Sequence, residues 1–257
     1  WSSDVCSSDL SFLTAPPLHQ VCTAEYLIAR HEVTFGDWLH YLRALPAKER
    51  ARRTPQSPQS EGRHMLRLSE LPGGGWELRF QPGARVYSAR AGQPIRYEER
   101  KRNAVQDWLR FPVSCISLED AQAYLGWLDR TGRLPGARLC DEQEWERAAR
   151  GVDGRLFPHG ARLAPDDANF DETYGRAPNG YGPDEIGLHP ASDSPYGLSD
   201  MAGNAFEWTR SSRSASEVVT RGGSWYYSKI TARTANREVS EATLRDINLG
   251  LRVCATP

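Results

Sequence analysis

Three stretches of the chain combine a helix-capping residue with apolar residues at helical spacing. An acidic residue stands three positions after each cap, which is the arrangement of a capping box. The predicted helices, with the cap and the acidic residue in parentheses, cover 34–45 (Thr34, Asp37), 117–130 (Ser117, Asp120) and 141–150 (Asp141, Glu144). Pro46 is expected to end the first of them.

Strand signals are shorter and fewer. Met65–Leu68 and Trp76–Phe80 alternate apolar and polar residues on either side of three consecutive glycines, which predicts a hairpin. Three further short strands are predicted at 26–29, 218–221 and 249–253. The charged stretch 46–63, rich in Pro, Ser and Gln, is predicted to be an exposed loop.

The segment from Pro165 to Ser194 shows no sustained period of either kind. A packed domain tolerates so long an irregular stretch only if something fixes it in place. Bound metal ions are one candidate for that role. Few helices, many turns and 8 Trp with 10 Tyr together indicate an α+β domain with an aromatic core.

Charge excludes some classes of partner. The 257 residues carry 32 Lys+Arg against 33 Asp+Glu, a net charge of -1, so we expect neither nucleic acid nor an anionic membrane as a partner. The basic run of Arg96, Arg100, Lys101 and Arg102 is interrupted by acidic residues and is interpreted as solvated surface.

The chain ends and the compartment are less defined. No apolar run approaches the about 20 residues that span a bilayer, and no signal peptide is visible. Residues 1–10 do not fit the rest and are interpreted as an artefact or a disordered tail. We expect one domain over 11–257, with a hairpin insertion around 60–100, in a chain that can be a fragment of something longer. The cellular location stays unknown.

Cysteine and histidine give weak signals. Setting Cys6 aside, Cys22, Cys115, Cys140 and Cys254 lie far apart and form no CxxC motif. Four buried thiols, or one or two disulfides in an oxidising compartment, both remain open. The six histidines share no spacing typical of a zinc or iron site.

Six segments in a fixed order resemble the formylglycine-generating-enzyme (sulfatase-modifying factor) family. They span nearly the whole chain: HEVTFGDWLHYL (31–42), FPVSCISLEDAQAYLGWL (111–128), ARLCDEQEWERAARG (137–151), SPYGLSDMAGNAFEWT (194–209), RGGSWYY (221–227) and NLGLRVCA (248–255). The resemblance implies an α+β fold related to C-type lectins. It is nearest to copies attached to bacterial serine/threonine kinases, so an upstream kinase domain is an expected partner.

The segment 200–207 offers only oxygen ligands. Asp200 and Glu207 supply carboxylates, and Gly203 and Ala205 can supply carbonyls, a donor set that suits the about 6–8 oxygens of calcium. The resemblance places a calcium site on these four positions. The alternative is a turn capped by Asp200, with Glu207 in a salt bridge.

The resemblance implies a second calcium site, which maps less cleanly. Its first ligands correspond to Asn169 and the carbonyl of Phe170. The later ligand stays open between Asn179 with the carbonyl of Tyr181 and the carboxylate of Asp184. The alternative is that these polar side chains hydrogen-bond to their own loop.

Copper is not expected. Family members that make formylglycine oxidise a substrate thiol with copper held by two cysteines, five residues apart, after the GGS-aromatic block. Those positions fall here on Tyr227 and Ala232, and neither replaces the soft thiolates that Cu(I) prefers. Cys254 corresponds to a structural position of the family, with Cys140 as a candidate disulfide partner.

The family's cleft can persist without its copper. Its lining corresponds to residues that combine aromatic faces with guanidinium groups, namely Ser224, Trp225, Tyr226, Tyr227, Arg233, Asn236 and Arg237. Such a surface suits a peptide or a small polar ligand. Alternatively, Trp225 and Tyr226 belong to the core, and Arg237 pairs with Glu238 or Asp246.

Three functions are compatible with these residues. The first is a non-catalytic ligand-binding or sensor module of a bacterial signalling protein, which the missing thiols favour. The second is an oxidoreductase or other enzyme with different chemistry in the same cleft, where Ser224, Tyr227 and Arg233 supply polar groups. The third is a structural domain stiffened by calcium.

Overall fold

The computed structural model describes residues 21–58 and 65–257, so the interpretation of residues 1–10 lies outside the described residues. Four α-helices are α1 (Phe35–Arg43), α2 (Ala47–Arg53), α3 (Leu118–Arg130) and α4 (Glu142–Arg150). The strands are β1 (Leu27–Ile28), β2 (Met65–Glu70), β3 (Trp76–Gln81), β4 (Tyr87–Arg90), β5 (Ile95–Arg96), β6 (Val105–Gln106), β7 (Ala137–Leu139), β8 (Phe206–Ser212), β9 (Glu217–Arg221), β10 (Glu238–Glu241), β11 (Leu249–Leu251) and β12 (Val253–Ala255). Short 3₁₀ turns lie at Trp108–Arg110 and Pro190–Ser192.

The three predicted helices are confirmed, and all three begin with the predicted capping box. In α1, the hydroxyl of Thr34 accepts from the backbone N–H of Asp37 at 3.1 Å, and the Asp37 carboxylate accepts the N–H of Thr34 at 3.0 Å. Each box satisfies backbone donors that the first helical turn leaves unpaired, so the cap fixes where the helix begins.

The prediction of an exposed loop over 46–63 is wrong for its first part, because Ala47–Arg53 forms α2. The segment AKERARR consists of good helix formers, and their propensity outweighs the turn signal of Pro46, which becomes the residue before the helix. The side chain of Arg53 is buried and pairs with Asp120 of α3 at 3.0 Å. This buried ion pair joins α2 to the cap of α3.

The strands form small sheets. One has the order β1-β12-β7 and another the order β10-β9-β8-β11, in which β11 runs parallel to β8. The predicted hairpin is β2 with β3, and β4 adds a third strand to it. The strand predicted over 249–253 is in fact two strands in different sheets, separated at Arg252, whose side chain is buried between them.

The core is aromatic, as the composition predicts. Its fully buried tryptophans are Trp38, Trp76, Trp108, Trp145, Trp208 and Trp225. Trp38 of α1 stacks on Tyr124 of α3 with ring centroids 5.2 Å apart, so aromatic packing holds the two helices together. No helix in the described ranges has the length and apolar character of a membrane span.

The sequence left open whether the cysteines are free thiols or form disulfides. Within the described residues the structure shows one disulfide, between Cys140 and Cys254. It lies at the end of β7 and in β12, inside a buried cluster with Trp145 and Met201. Of the other cysteines in the described ranges, Cys22 is exposed and free, and Cys115 is buried and free. The disulfide closes a loop with a sequence separation of 114.

Removing this disulfide should destabilise the protein strongly. Closing a loop of about 100 residues restricts the unfolded chain by about 4–5 kcal/mol. The variant Cys140→Ala/Cys254→Ala should therefore lose up to about 4 kcal/mol of unfolding free energy in urea titrations. Cys22→Ser is the matched control and should be unchanged. Equal stability of the double variant and the wild type would contradict the structural role.

Candidate functional site

The two positions that the family resemblance aligns with the copper cysteines, Tyr227 and Ala232, lie in different environments. Ala232 is 1% exposed and belongs to an apolar cluster with Phe157, Leu163, Ala168, Phe170 and Ala202. The backbone of Gly223 approaches it so closely that a Cβ at Gly223 would lie 2.9 Å from the Cα of Ala232. Tyr227 is half-buried and packs edge-on against Phe206, with ring centroids 5.7 Å apart.

A pocket of about 240 Å³ opens beside Tyr227. It lies where β8, β9 and β10 meet the segment before β11. Its walls are formed by Phe206, Thr220, Tyr227, Glu238, Val239, Ser240, Glu241, Leu244, Asp246, Asn248 and Leu249. Apart from Tyr227, none of these residues was a predicted cleft residue. Strand β10 and the turn after it carried no motif, so the sequence offered no signal for the acidic wall.

The other predicted cleft residues do not converge on this pocket. Ser224 and Trp225 are buried, whereas Tyr226 is 39% exposed. Trp225 borders a separate crevice, which also includes Asn169 and Tyr181 and is too narrow to admit a water molecule. Trp225 therefore lies in the core, as the alternative interpretation of the sequence had it.

Two polar members of the predicted cleft, Arg237 and Asn236, are bound by α4 and by their own loop. Arg237 pairs with Glu142 of α4 at 2.5 Å. The side-chain amide of Asn236 donates to the carbonyl of Thr231 at 3.1 Å. The Nε of Arg233 is buried and has no hydrogen-bond partner among the described residues.

The turn 200–207 is built around a buried ion pair. Glu207 is fully buried and accepts from Arg252 Nη2 at 2.8 Å and from the indole N–H of Trp145 at 2.6 Å. Asp200 is also buried, and its carboxylate accepts the backbone N–H of Gly187 at 2.6 Å. These contacts are those of the capped, salt-bridged turn that the sequence left as the alternative to calcium.

A third buried carboxylate, that of Glu32, contacts this turn. No motif in the sequence predicted this contact. The two oxygens of Glu32 accept the backbone N–H of Ala205 and the side-chain amide of Asn204, both at 3.2 Å. Burial raises the pKa of Glu32 well above its usual value, and the charges of Asp200 and Glu207 raise it further. The only signal was its position in the first family-like segment, directly before Val33 and the cap of α1.

The carboxylates of the turn exceed the positive charge beside them. Burial raises the pKa of Asp200 to about 6, although Gly187, Arg252 and other neighbours act against this rise. Glu32, Asp200 and Glu207 share one adjacent guanidinium, that of Arg252. This excess of buried negative charge and hard oxygen donors fits a divalent cation such as calcium. The described side chains nevertheless include no group of three or more Asp, Glu, His or Cys arranged to hold a metal ion.

Asp184 is enclosed by four donors. One oxygen accepts from Arg100 at 2.5 Å and Gln106 at 3.0 Å, and the other accepts from Tyr174 at 2.6 Å and lies 2.7 Å from His189 Nε2. Burial acts to raise the pKa of Asp184, but Arg100 and His189 hold it below its usual value. Side chains of the protein therefore occupy the acceptor positions of Asp184, and a calcium role for it stays a prediction.

The interpretation of Arg100 as solvated surface is wrong, because its side chain is fully buried. Besides Asp184, its guanidinium donates to the carbonyls of Gly180 at 2.7 Å and Gly182 at 2.8 Å. It also lies 3.5 Å from the ring centroid of Tyr97. A guanidinium therefore fixes the irregular segment that the sequence suggested a metal could fix.

Asn169 and Phe170 lie next to this anchored segment. The side-chain amide of Asn169 donates to the carbonyl of Gly182 at 3.0 Å, and the carbonyl of Phe170 accepts the N–H of Thr173 at 3.1 Å. Gly203 adopts φ 83°, and a Cβ there would lie 2.2 Å from the carbonyl oxygen of Asn169. The close approach therefore requires glycine. A calcium role for Asn169 and Phe170 stays a prediction.

Comparison with known proteins identifies the family. The profile of the sulfatase-modifying factor enzyme 1-like domain matches residues 5–257. The chain therefore belongs to the formylglycine-generating-enzyme-like family, as its motifs predicted. The structure of PvdO from Pseudomonas aeruginosa has the same mixed α+β fold, with a TM-score of 0.64, 21% identity, and coverage of 94% of this chain and 85% of PvdO.

The similar curated proteins include inactive and active relatives. Inactive C-alpha-formylglycine-generating enzyme 2 of Bos taurus is 34% identical over 173 residues, 60% of this chain and 53% of that protein. Formylglycine-generating enzyme of Mus musculus is 30% identical over 194 residues, 64% of this chain and 49% of that protein. Serine/threonine-protein kinase pkn1 of Chlamydia pneumoniae is 29% identical over 168 residues, 58% of this chain and 24% of the kinase. The chain spans about half the length of the first curated relatives it matches.

Replacing Arg100 should destabilise the protein more than replacing a nearby arginine. Arg100→Met removes the guanidinium partner of the buried Asp184 and leaves only His189 beside that carboxylate; loss of a partner from a buried ion pair costs about 3–5 kcal/mol of unfolding free energy. Arg102→Met is the matched control, because Arg102 and its partner Asp166 are 38% and 73% exposed and such a pair contributes at most about 1 kcal/mol. Chemical denaturation measures both values. Equal losses in the two variants would contradict an anchoring role for Arg100.

Proposed function

We propose that this chain is a non-catalytic ligand-binding domain, which keeps the formylglycine-generating-enzyme-like fold and uses the pocket beside Tyr227. The observation that carries the proposal is the pairing of that pocket with the loss of both copper cysteines. Tyr227 forms part of the pocket wall, whereas Ala232 lies in an apolar cluster. The position that the resemblance aligns with the family's copper site thus offers a cavity and polar groups, but no thiolates.

Cys140 and Cys254 do not replace the missing pair. Cys140 and Cys254 are bonded to each other inside a buried cluster, away from the walls of the pocket. Cu(I) requires soft ligands such as thiolates, and a phenol with an alanine methyl group supplies none. The inactive relative from Bos taurus supports the same conclusion, since its name records a family member without the activity.

The setting we propose is a sensor module of a bacterial signalling protein. Its support is the match to a serine/threonine-protein kinase of Chlamydia pneumoniae, of which the matched region forms 24%. In this proposal a kinase domain lies upstream, residues 11–257 form one C-type-lectin-like domain, and the hairpin sheet is an insertion around 60–100. A ligand in the pocket would then change how this domain contacts the kinase.

Calcium is the proposed cofactor of the turn 200–207. Asp200 and Glu207 would hold it, with the carbonyls of Gly203 and Ala205. The ion would supply positive charge beside Asp200 and Glu32, whereas Glu207 would share its oxygens with Arg252 and Trp145. The support is the charge excess shared by Glu32, Asp200 and Glu207. On the protein side, Arg252 orients Glu207 while Asn204 orients Glu32.

The proposal predicts that the chain makes no formylglycine. The purified protein is incubated with a Cys-containing substrate peptide and copper, and the peptide is followed by mass spectrometry. We expect an unchanged cysteine, because neither Tyr227 nor Ala232 binds Cu(I). An active formylglycine-generating enzyme in the same assay is the positive control. Time-dependent formylglycine above the rate with copper alone would overturn the proposal.

Ligand binding is tested by blocking the pocket. Ser240 of β10 lines it, so Ser240→Phe should fill the space without removing a charge. A panel of small polar compounds and short peptides is screened by thermal shift against both proteins. We expect a subset to raise the Tm of the wild type and not that of the variant. Identical Tm values with and without every compound would contradict a binding function.

Calcium removal gives an independent prediction. At 100 times the dissociation constant, a bound ion adds about 2.7 kcal/mol to the unfolding free energy. Calcium added to protein treated with EDTA should raise the Tm of the wild type, and the Asp200→Asn variant should lose most of that rise. Asp193→Asn is the control, because Asp193 pairs instead with the exposed side chain of Arg30. An unchanged Tm of the wild-type protein after calcium is added would refute the proposed calcium site.

A further inference from the structure

The pocket beside Tyr227 has an acidic wall. Three of its eleven lining residues are carboxylates, namely Glu238, Glu241 and Asp246, and none of the eleven is Lys, Arg or His. Two arginines adjoin these acids in sequence, and both pair with acids that do not line the pocket: Arg237 with Glu142 at 2.5 Å, and Arg245 with Asp120 at 2.6 Å. Within the described part of the chain, the negative charge of the pocket therefore has no counter-ion on its walls.

The pKa shifts of Glu238 and Tyr227 agree with a negative charge in the pocket that no cation on its walls balances. Burial raises the pKa of Glu238, and no neighbouring cation contributes to lower it. Burial also raises the pKa of Tyr227, with further increases from the charges of Asp246 and Glu238. The Tyr227 hydroxyl thus lies in the combined field of both carboxylates. An ionised group of the same sign would be repelled there, and a cation would be attracted.

A buried hydroxyl supplies a second and independent observation. Thr220 of β9 is 1% exposed and borders the pocket, and its Oγ1 has no hydrogen-bond partner among the described residues. Buried polar atoms are nearly always hydrogen-bonded in folded proteins, so an unpaired one on a cavity wall indicates a missing partner. A ligand that donates an N–H would satisfy this oxygen.

The remaining walls are apolar or aromatic. Phe206 and Tyr227 meet edge to face, and Leu244 and Leu249 complete the surface. Aromatic faces attract alkylammonium and guanidinium groups, and aliphatic walls accommodate the methylene stem that carries them. The volume of about 240 Å³ is below the usual range for drug-sized ligands, so one short chain fits.

We propose that this pocket binds a small organic cation, a primary ammonium or guanidinium group on a short aliphatic stem. The group comes either from a free amine or from a basic side chain of a peptide. This inference rests on the proposed ligand-binding function and specifies the chemistry of its ligand. An inorganic cation is disfavoured, because the three carboxylates on the wall of this pocket do not come together in a group that could hold one.

The direct test is calorimetric titration of the chain with agmatine as the free amine and with acetyl-Gly-Arg-Gly-amide as the peptide. Glutarate and 1,4-butanediol are the anionic and neutral controls of similar length. We expect at least one cationic probe to bind, with weaker binding at higher salt. The arm with the higher affinity identifies the source of the cation.

Variants of the acidic wall test the mechanism. Glu238→Gln and Glu241→Gln should each weaken binding of the cationic probe by about tenfold or more, because each removes a charge that faces the ligand. Glu217→Gln is the matched control. Glu217 lies opposite Glu241 in the register of β9 and β10, but its side chain does not line the pocket. The control should bind within about twofold of the wild type. Glu241 is exposed, so its variant stays informative if Glu238→Gln fails to fold.

The outcomes separate this inference from the function on which it rests. If glutarate or butanediol binds as well as the cations and Ser240→Phe abolishes that binding, the pocket binds ligands and the cationic preference is refuted. If neither cationic probe binds at millimolar concentration, the inference is also refuted. Equal affinity of Glu217→Gln and the two pocket variants would refute the role of the acidic wall.

Discussion

The buried guanidinium of Arg100 determines how the longest irregular part of this protein is held. Backbone that forms neither helix nor sheet must find other partners for its polar groups when it is buried. Arg100 supplies donors to two carbonyls and to Asp184 at the same time. Asn169 then bonds to the carbonyl of Gly182, and Asn169 in turn contacts Gly203. The turn with Asp200 and Glu207 therefore depends on a contact that begins in a distant basic run.

Much of the fold could be predicted because its signals are local. The capping boxes at Thr34 and Ser117 each span four consecutive residues. The three glycines mark the turn of the hairpin, and this turn sets the register between β2 and β3. The burial of Arg100 could not be predicted, since it depends on Asp184, 84 residues further along the chain. Helix α2 was missed although its signal is local, because the turn signal of Pro46 was given more weight than the helix propensity of the segment that follows. The burial of Arg53 could not be predicted, since it depends on Asp120 of α3.

The residues of the candidate site also fall into those with a local sequence signal and those without one. Tyr227 was found because a motif with fixed spacing precedes it. The acids beside it come from β10 and the following turn, whose position follows from pairing with β9, not from any pattern of their own. Both carboxylates predicted at later positions of the two calcium sites, Asp184 and Glu207, pair with buried arginines. Side-chain cations thus supply part of the charge compensation for which the sequence suggested metal ions. Glu32 and Asp200 have no ion pair of their own among the described residues and share the charge of Arg252 with Glu207.

The packing of Ala232 determines how a thiol pair could be accommodated at positions 227 and 232. Restoring a cysteine at Tyr227 is sterically simple, since that side chain borders a pocket. A sulfur at Ala232 would have to enter a close-packed apolar cluster, and additional volume there costs about 1–3 kcal/mol. The backbone of Gly223, pressed against the same residue, leaves little room for adjustment. A variant with cysteines at both positions would therefore be less stable than the present chain, and the cost would come almost entirely from position 232.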